Sequence, residues 1–305
     1  MLSVVIVNDT HVVGVAVDLK CMKGGENAEL RGGLTMDFIK AIEAAWEKNN
    51  SLVCVGLDSD LDRIPAHLRE RNAPLFEFNK AIVEATADLV CAYKPQIAYY
   101  AASGSEHELE MTIEHIHESH PGIPVILDSK RGDIGATAKM YAREIFDRFK
   151  ADAVTVNPYM GSDTLEPFLA HKQKGVIILC RTSNPGARDI QDLEVNGKKL
   201  YQIIAEMAKE KWNYNGNALL VVGATYPKEL KEIRLIVGDM PLLVPGIGAQ
   251  GGDVERAVTN GKNSKGTGMI INSSRGIIYA SKGDDFAEAA RTAALMLRDE
   301  INRYR

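Results

Sequence analysis

Residues 123–159, IPVILDSKRGDIGATAKMYAREIFDRFKADAVTVNPY, contain one complete unit of the fold. IPVIL and ADAVTV are short, β-branched and almost continuously apolar. A strand with one wet face alternates apolar and polar residues, whereas a strand covered on both faces does not, so these two read as buried parallel strands. Between them, TAKMYAREIFDRFK spaces its apolar residues by three and four, the pattern of an amphipathic helix. Strand, helix and strand make one crossover unit of a parallel sheet.

Working outward, the unit recurs. Six further runs have the same strand character: SLVCVGLD (51–58), ADLVCAYKPQ (87–96), KGVIILCRTS (174–183), ALLVVGA (218–224), PLLVPGIG (241–248) and GMIINSSRG (268–276). Helical patterns such as NKAIVEATADL (79–89), ELEMTIEHIHESH (108–120) and LYQIIAEMAKEKW (200–212) separate them. Eight strand–helix repeats predict an α/β fold, a (β/α)8 TIM barrel. A doubly wound open sheet is the alternative, but it gathers its ligand where the strand order reverses. Here the polar residues fall at the carboxyl ends of the runs instead: Asp58, Lys94, Asp128 with Lys130, Asn157, Arg181 to Asn184, then Gln250 after the seventh and Arg275 after the eighth. In a barrel those ends converge on one mouth, which favours the barrel and places a site there.

MDFIKAIEAAWEKNN (36–50) precedes the first strand and reads as a helix closing the barrel bottom. Residues 1–35 stand outside the repeat. SVVIV and VVGVAV flank NDTH as a candidate hairpin, followed by the Gly-rich KGGENAELRGG. We read 1–35 as an N-terminal extension and 36–305 as the barrel domain; Met36 opens the helix, so an expression leader or an over-extended start would account for the extension.

Composition narrows the function classes. With 305 residues, 45% hydrophobic and 25% charged, the chain has material for a large core, which excludes a disordered segment. Its 36 basic and 41 acidic residues leave a net charge of -5, and no basic run offers a nucleic-acid footprint. Apolar stretches break within about ten residues, short of the roughly 20 that span a bilayer. No basic region precedes the first apolar run and no clear cleavage site follows it, so cytoplasm is the expected location. Cys21, Cys54, Cys91 and Cys180 form no CxxC pair, and three lie in apolar runs as small buried hydrophobes. The ten methionines read as core filler. His115, His117 and His120 of HIHESH do not share one helical face, so they read as a solvated helix end rather than a metal site.

The charged centre is LDSKRGDIGAT (127–137). Asp128 and Lys130 are two apart on a strand, so both are expected on the side facing the mouth. Asp133 is expected to return to the same point through the turn that Gly132 permits. Lys94, on the preceding strand, extends the alternation of charge. A structural ion-pair network is the plain interpretation of such residues. At the carboxyl end of a barrel strand, a lysine held cationic by aspartates also suits a general acid delivering a proton to carbon.

LDSKRGDIGAT also resembles the DxKxxDI motif of orotidine 5'-monophosphate decarboxylases. GLDSD, YKPQ, RTSNPG, VPGIGAQGGD and NSSRGI match that family in order, from about Met36 to the C-terminal helix, most closely its longer bacterial type 2 subgroup. The resemblance implies loss of CO2 from orotidine 5'-monophosphate to give UMP, the last step of pyrimidine nucleotide synthesis, with neither metal nor organic cofactor. It implies Lys130 as proton donor to C6 and Asp128 beside the substrate carboxylate, where like-charge repulsion is relieved as CO2 leaves. Asp133 and Thr137 would come from the neighbouring subunit, which implies a homodimer with shared sites. Asp58 and Lys94 would hold ribose hydroxyls, Ser183 the pyrimidine, and Gln250 with Arg275 the phosphate. The residues agree on this last point, since the loops after the seventh and eighth strands are where barrels build phosphate sites.

Two other functions fit parts of the pattern. DxKxxD is shared by metal-dependent sugar-phosphate decarboxylases and aldolases, and a non-catalytic barrel that binds a phosphate ligand would keep Arg275 without needing Lys130. RTSNPG together with Gln250 and Arg275 favours the nucleotide. GARDIQDLEVNGKK (186–199) fits no repeat and is expected to be a loop near the phosphate.

Overall fold

The computed structural model describes residues 37–247 and 253–305. The expectations for residues 1–36 and for Gln250 lie outside the described residues.

Eight parallel strands form the barrel: β1 (Val53–Leu57), β2 (Ala92–Pro95), β3 (Ile126–Arg131), β4 (Ala153–Val156), β5 (Gly175–Arg181), β6 (Ala218–Val222), β7 (Leu242–Pro245) and β8 (Met269–Ser273). Each pairs with its neighbour in sequence, and β1 pairs with β8. Parallel bridges from Tyr93 to Val125 and from Gln96 to Asp128 complete the ring between β2 and β3. The order never reverses, which rules out the doubly wound sheet. Every residue of β1, β2, β4, β6 and β8 is buried, the polar Lys94, Thr155, Asn272 and Ser273 included, as strands covered on both faces require.

The Phe38–Lys48 helix closes the bottom. Asp37 caps it, accepting from Lys40 N–H at 2.9 Å, and Phe38, Ile42, Ala45 and Trp46 form its buried face. Phe38 lies over the first residue of β5, where a Cβ on Gly175 would meet its ring at 2.3 Å. That glycine is the space the plug requires.

Two charged residues serve the scaffold. Arg234, on the Pro227–Val237 helix, donates to the carbonyls of Gly238, Met240, Gly261 and Gly268 at 2.6 to 2.8 Å, tying two helix ends to the start of β8. Arg131 makes two bonds to Glu144, at 2.9 and 3.0 Å, and its guanidinium lies 4.6 Å from the Tyr141 ring centre. Adjacent to Lys130 in sequence, it is committed to the outer helix layer.

The 186–199 stretch is not an open loop. Pro185–Asp189 forms a 3-10 turn, Glu194–Val195 pairs with Lys198–Lys199 as a small hairpin, and Leu200–Met207 continues as helix.

No helix among the described residues is long and apolar enough to cross a membrane. Cys54, Cys91 and Cys180 are buried free thiols, and burial pushes the Cys54 thiol up to about 12.

Candidate active site

The carboxyl ends of the strands enclose a cavity of about 750 Å3. Asp58, Lys94, Asp128, Lys130, Ser183 and Arg275 all line it, so residues separated by more than 200 positions meet at one mouth.

The centre is a chain of alternating charge. Lys130 Nζ lies 2.7 Å from Asp128 Oδ1, Lys94 Nζ lies 3.0 Å from Asp128 Oδ2, and Asp58 Oδ1 lies 3.9 Å from Lys94 Nζ. Lys94 is 4% exposed, whereas the Lys130 side chain is 46% exposed and so is the ammonium accessible to a ligand. Burial alone would raise the Asp128 carboxyl, but the charges of Lys94 and Lys130 and hydrogen bonds from Lys130 and Thr155 hold it well below the usual carboxylate range. Burial likewise works against the Lys94 ammonium, and the charges of Asp128 and Asp58 outweigh it and hold the ammonium firmly protonated.

Lys130 reaches Asp128 by a different route from simple strand alternation. Leu127 pairs with Val154, but the next pairing is Arg131 with Val156, so β3 carries a bulge at Ser129 and Lys130. Lys130 has φ +46°, the left-handed region that a residue with a Cβ enters at a cost of about 1–2 kcal/mol. Thr155 of β4 compensates. Its Oγ1 accepts from the Ser129 and Lys130 N–H groups, each at 3.0 Å, and donates to Asp128 Oδ1 at 2.7 Å. One hydroxyl thus replaces the missing ladder bonds and orients the carboxylate. Thr155 was not among the expected site residues; its only signal is a hydroxyl between two valines in a buried strand.

Asp58 is also held from behind. Tyr100 OH donates to Leu57 O at 3.0 Å and Tyr279 OH donates to Asp58 O at 3.0 Å. Asn79 ties this end of β1 to the helices, donating to Tyr100 OH and Thr112 Oγ1 and accepting from Ser59 Oγ. Asp58 Oδ1 itself is buried with no hydrogen-bond partner, in a wall of the cavity.

Ser183 sits in a turn clamped by the 186–199 segment. Gln191 Oε1 accepts from Thr182 N–H and Gln191 Nε2 donates to Thr182 Oγ1, both at 2.9 Å. Gly223, at the end of β6, lies behind this turn, where a Cβ would meet Ser183 Cβ at 2.9 Å. The segment therefore borders the cavity on the Ser183 side. Arg275 begins the short Arg275–Ile278 helix and is exposed at the rim.

Asp133 does not return to the Asp128–Lys130 pair of its own chain. The left-handed residues here are Lys130 and Gly135, and Gly132 instead allows close approach to β4, where a Cβ would come 3.1 Å from Asn157 O. Asp133 Oδ1 accepts from the Ile134 N–H at 2.8 Å, and neither Asp133 nor the exposed Thr137 lines this cavity. Large apolar side chains stand exposed around them: Ile134, Met140, Tyr159 and Met160.

Residues 51–292 match the family model described as Orotidine 5'-phosphate decarboxylase / HUMPS family. The chain is 63% identical over 270 residues to orotidine 5'-phosphate decarboxylase of Dechloromonas aromatica, covering 88% of this chain and 100% of that protein. It is 61% identical to the enzyme of the same name from Azoarcus sp., with the same coverage. Among solved structures, the Leishmania donovani OMP decarboxylase is 39% identical, with a TM-score of 0.76 over 88% of this chain and 98% of that one.

Proposed function

The chain belongs to the orotidine 5'-phosphate decarboxylase / HUMPS family, and from that premise we propose that Lys130 is the proton donor of its reaction. The reaction is decarboxylation of orotidine 5'-monophosphate to UMP and CO2, in pyrimidine nucleotide synthesis. The bond from C6 to the carboxylate carbon breaks, CO2 leaves, and the electron pair remains on C6. One proton from the Lys130 ammonium quenches that carbanion to give UMP, and solvent reprotonates the amine.

The carrying observation is the 2.7 Å contact between Lys130 Nζ and Asp128 Oδ1, with Lys94 on the other carboxylate oxygen. A carbanion at C6 has no adjacent group to delocalise it, so preorganised charge must lower the barrier. Lys130 supplies positive charge where negative charge develops, and Asp128 lies next to the departing carboxylate. Asp58 and Lys94 take ribose hydroxyls, Ser183 hydrogen-bonds the pyrimidine, and Arg275 with Gln250 grips the phosphate. Binding energy from the phosphate, remote from C6, orients the base above Lys130.

The functional unit in this proposal is a homodimer in which Asp133 and Thr137 complete the partner's site. In support, both residues miss their own cavity and lie among the exposed Ile134, Met140, Tyr159 and Met160, an apolar surface suited to a second copy. The buried free thiols suit a reducing compartment, which for this pathway we take to be the cytoplasm.

The decisive experiment follows the ultraviolet absorbance of orotidine 5'-monophosphate, with EDTA present, for wild type and Lys130→Ala. Decay in wild type and near-total loss in Lys130→Ala are expected. An active Lys130→Ala protein overturns the donor assignment; loss of wild-type activity in EDTA overturns metal-free chemistry.

A further inference from the structure

Away from the cavity, Glu84 of the Pro74–Thr86 helix meets two histidines of the neighbouring Glu106–Ser119 helix and its cap. His115 Nε2 lies 2.8 Å and His120 Nε2 3.1 Å from the same oxygen, Glu84 Oε1. One ligand-type atom from each residue falls within 4.8 Å of the others. Reading the three histidines as a solvated helix end is therefore corrected for two of them. The helix stops at Ser119, and His120, at φ -130° and ψ 58°, turns back toward Glu84. Spacing along an ideal helix does not anticipate that turn, nor a ligand from another helix. His117 goes elsewhere, to Asp152 at 2.8 Å.

We propose that Glu84, His115 and His120 form a binding site for a divalent transition metal ion of the zinc class, joining the two helices. Two imidazole nitrogens and one carboxylate are a donor set that Zn2+ takes with water in the fourth position. Tetrahedral bonds of about 2.0–2.1 Å put ligand atoms about 3.3 Å apart, so the two imidazole-to-carboxylate spacings of 2.8 and 3.1 Å lengthen by about 0.5 Å or less, and the two imidazole nitrogens lie within 4.8 Å of each other. The far nitrogen of His115 is engaged as well, with Ser119 Oγ 3.3 Å from Nδ1. With a metal in place of the Nε2 hydrogen, the ring hydrogen sits on Nδ1 and donates to Ser119 Oγ, the outer-shell support that metal-bound histidines have. Phe76 packs edge-on to the His115 ring at 6.1 Å and limits its rotation. Both imidazoles are mostly covered, at 15% and 20% exposure, while Glu84 keeps one side open to solvent as an entry path. None of the three residues lines the catalytic cavity. The metal's role is structural, clamping helix to helix.

The test is calorimetric titration of the untagged full chain with Zn2+ near neutral pH, alongside thermal unfolding with and without Zn2+. A site formed by these residues predicts a Zn2+-dependent rise in Tm, because the ligands converge only in the folded chain. It also predicts affinity at least roughly tenfold weaker in His115→Ala, His120→Ala and Glu84→Gln. His117→Ala should match wild type, and decarboxylase activity in every variant reports that the barrel is folded. Failure of wild type to bind Zn2+, or an isotherm unchanged in the His115→Ala/His120→Ala double variant, overturns the proposal. The second result would place the ion elsewhere on the chain.

Discussion

The hydroxyl of Thr155, on β4, donates a 2.7 Å hydrogen bond to Asp128 Oδ1 on β3 while accepting the backbone N–H of Lys130. A single side chain thus sets both the carboxylate and the backbone from which the proposed proton donor springs. Thr155→Val keeps shape and removes the hydroxyl, a charge-assisted bond worth about 1.5–3 kcal/mol. Steady-state kinetics should show kcat falling roughly tenfold to a hundredfold, with a smaller change in KM. Thr155→Ser should recover most of it. A Val variant with wild-type kcat would mean that the bulge holds itself.

Gly223→Ala should disturb catalysis without touching substrate. Its Cβ would press on Ser183 Cβ and backbone at 2.9 to 3.0 Å and displace the turn proposed to hold the pyrimidine. The expected result is a higher KM for the nucleotide with little loss of unfolding stability, and unchanged kinetics would detach Ser183 from base recognition.

Arg275→Ala should impair both binding and turnover, because in the proposed mechanism Arg275 holds the phosphate and that binding energy orients the base. Added inorganic phosphate or phosphite should restore nothing to this variant. Kinetics on the nucleotide indistinguishable from wild type would refute the phosphate assignment.

Mixed dimers test the shared site. Lys130→Ala and Asp133→Ala are each expected to be nearly inactive alone. When the two are mixed and allowed to exchange subunits, one site per heterodimer regains both residues and activity should reappear. Continued inactivity after verified exchange would place Asp133 in its own chain's chemistry.

The buried ion network should shape stability at the extremes of pH. The Asp128 carboxyl lies below its unfolded value of about 3.9, so its contribution is complete above that pH and is lost as pH falls through the folded value. The Lys94 ammonium lies above its unfolded value of about 10.4, so its contribution is complete below that pH and is lost as pH rises through the folded value. Urea midpoints should therefore be insensitive to this pair between about pH 4 and 10. Asp128→Asn should flatten the acid limb and lower the plateau, because it leaves Lys94 buried with only Asp58 at 3.9 Å. An unaltered acid limb would assign it to other carboxylates.

Much of the site was legible in the sequence because strand ends are. A parallel strand buried on both faces must be apolar, so the first charge after each run marks where the strand leaves the core. That logic points to Asp58, Lys94, Asp128, Lys130 and Arg275, and all five line one cavity; the uncharged Ser183 stands out only through the resemblance of RTSNPG, and Arg181, the charge of that run, is fully buried outside the cavity lining. It was silent on Thr155, whose hydroxyl lies within a strand, and on Gln191, whose role depends on a segment folding back. Asp133 is not reached by it either, because the left-handed residue that bends this segment is Lys130 and not Gly132.

What the sequence alone determined is the barrel, since eight apolar runs and the helical patterns between them can bury their surfaces on both sides only as a parallel β/α fold. Polar residues at seven of the eight strand ends then chose the ring over the open sheet. Tertiary structure decided which charges meet. Lys130 contacts Asp128 through a bulge stabilised from another strand, and two histidines meet at a glutamate from another helix. Such encounters depend on angles where elements end and on partners distant along the chain, and neither is encoded in local periodicity.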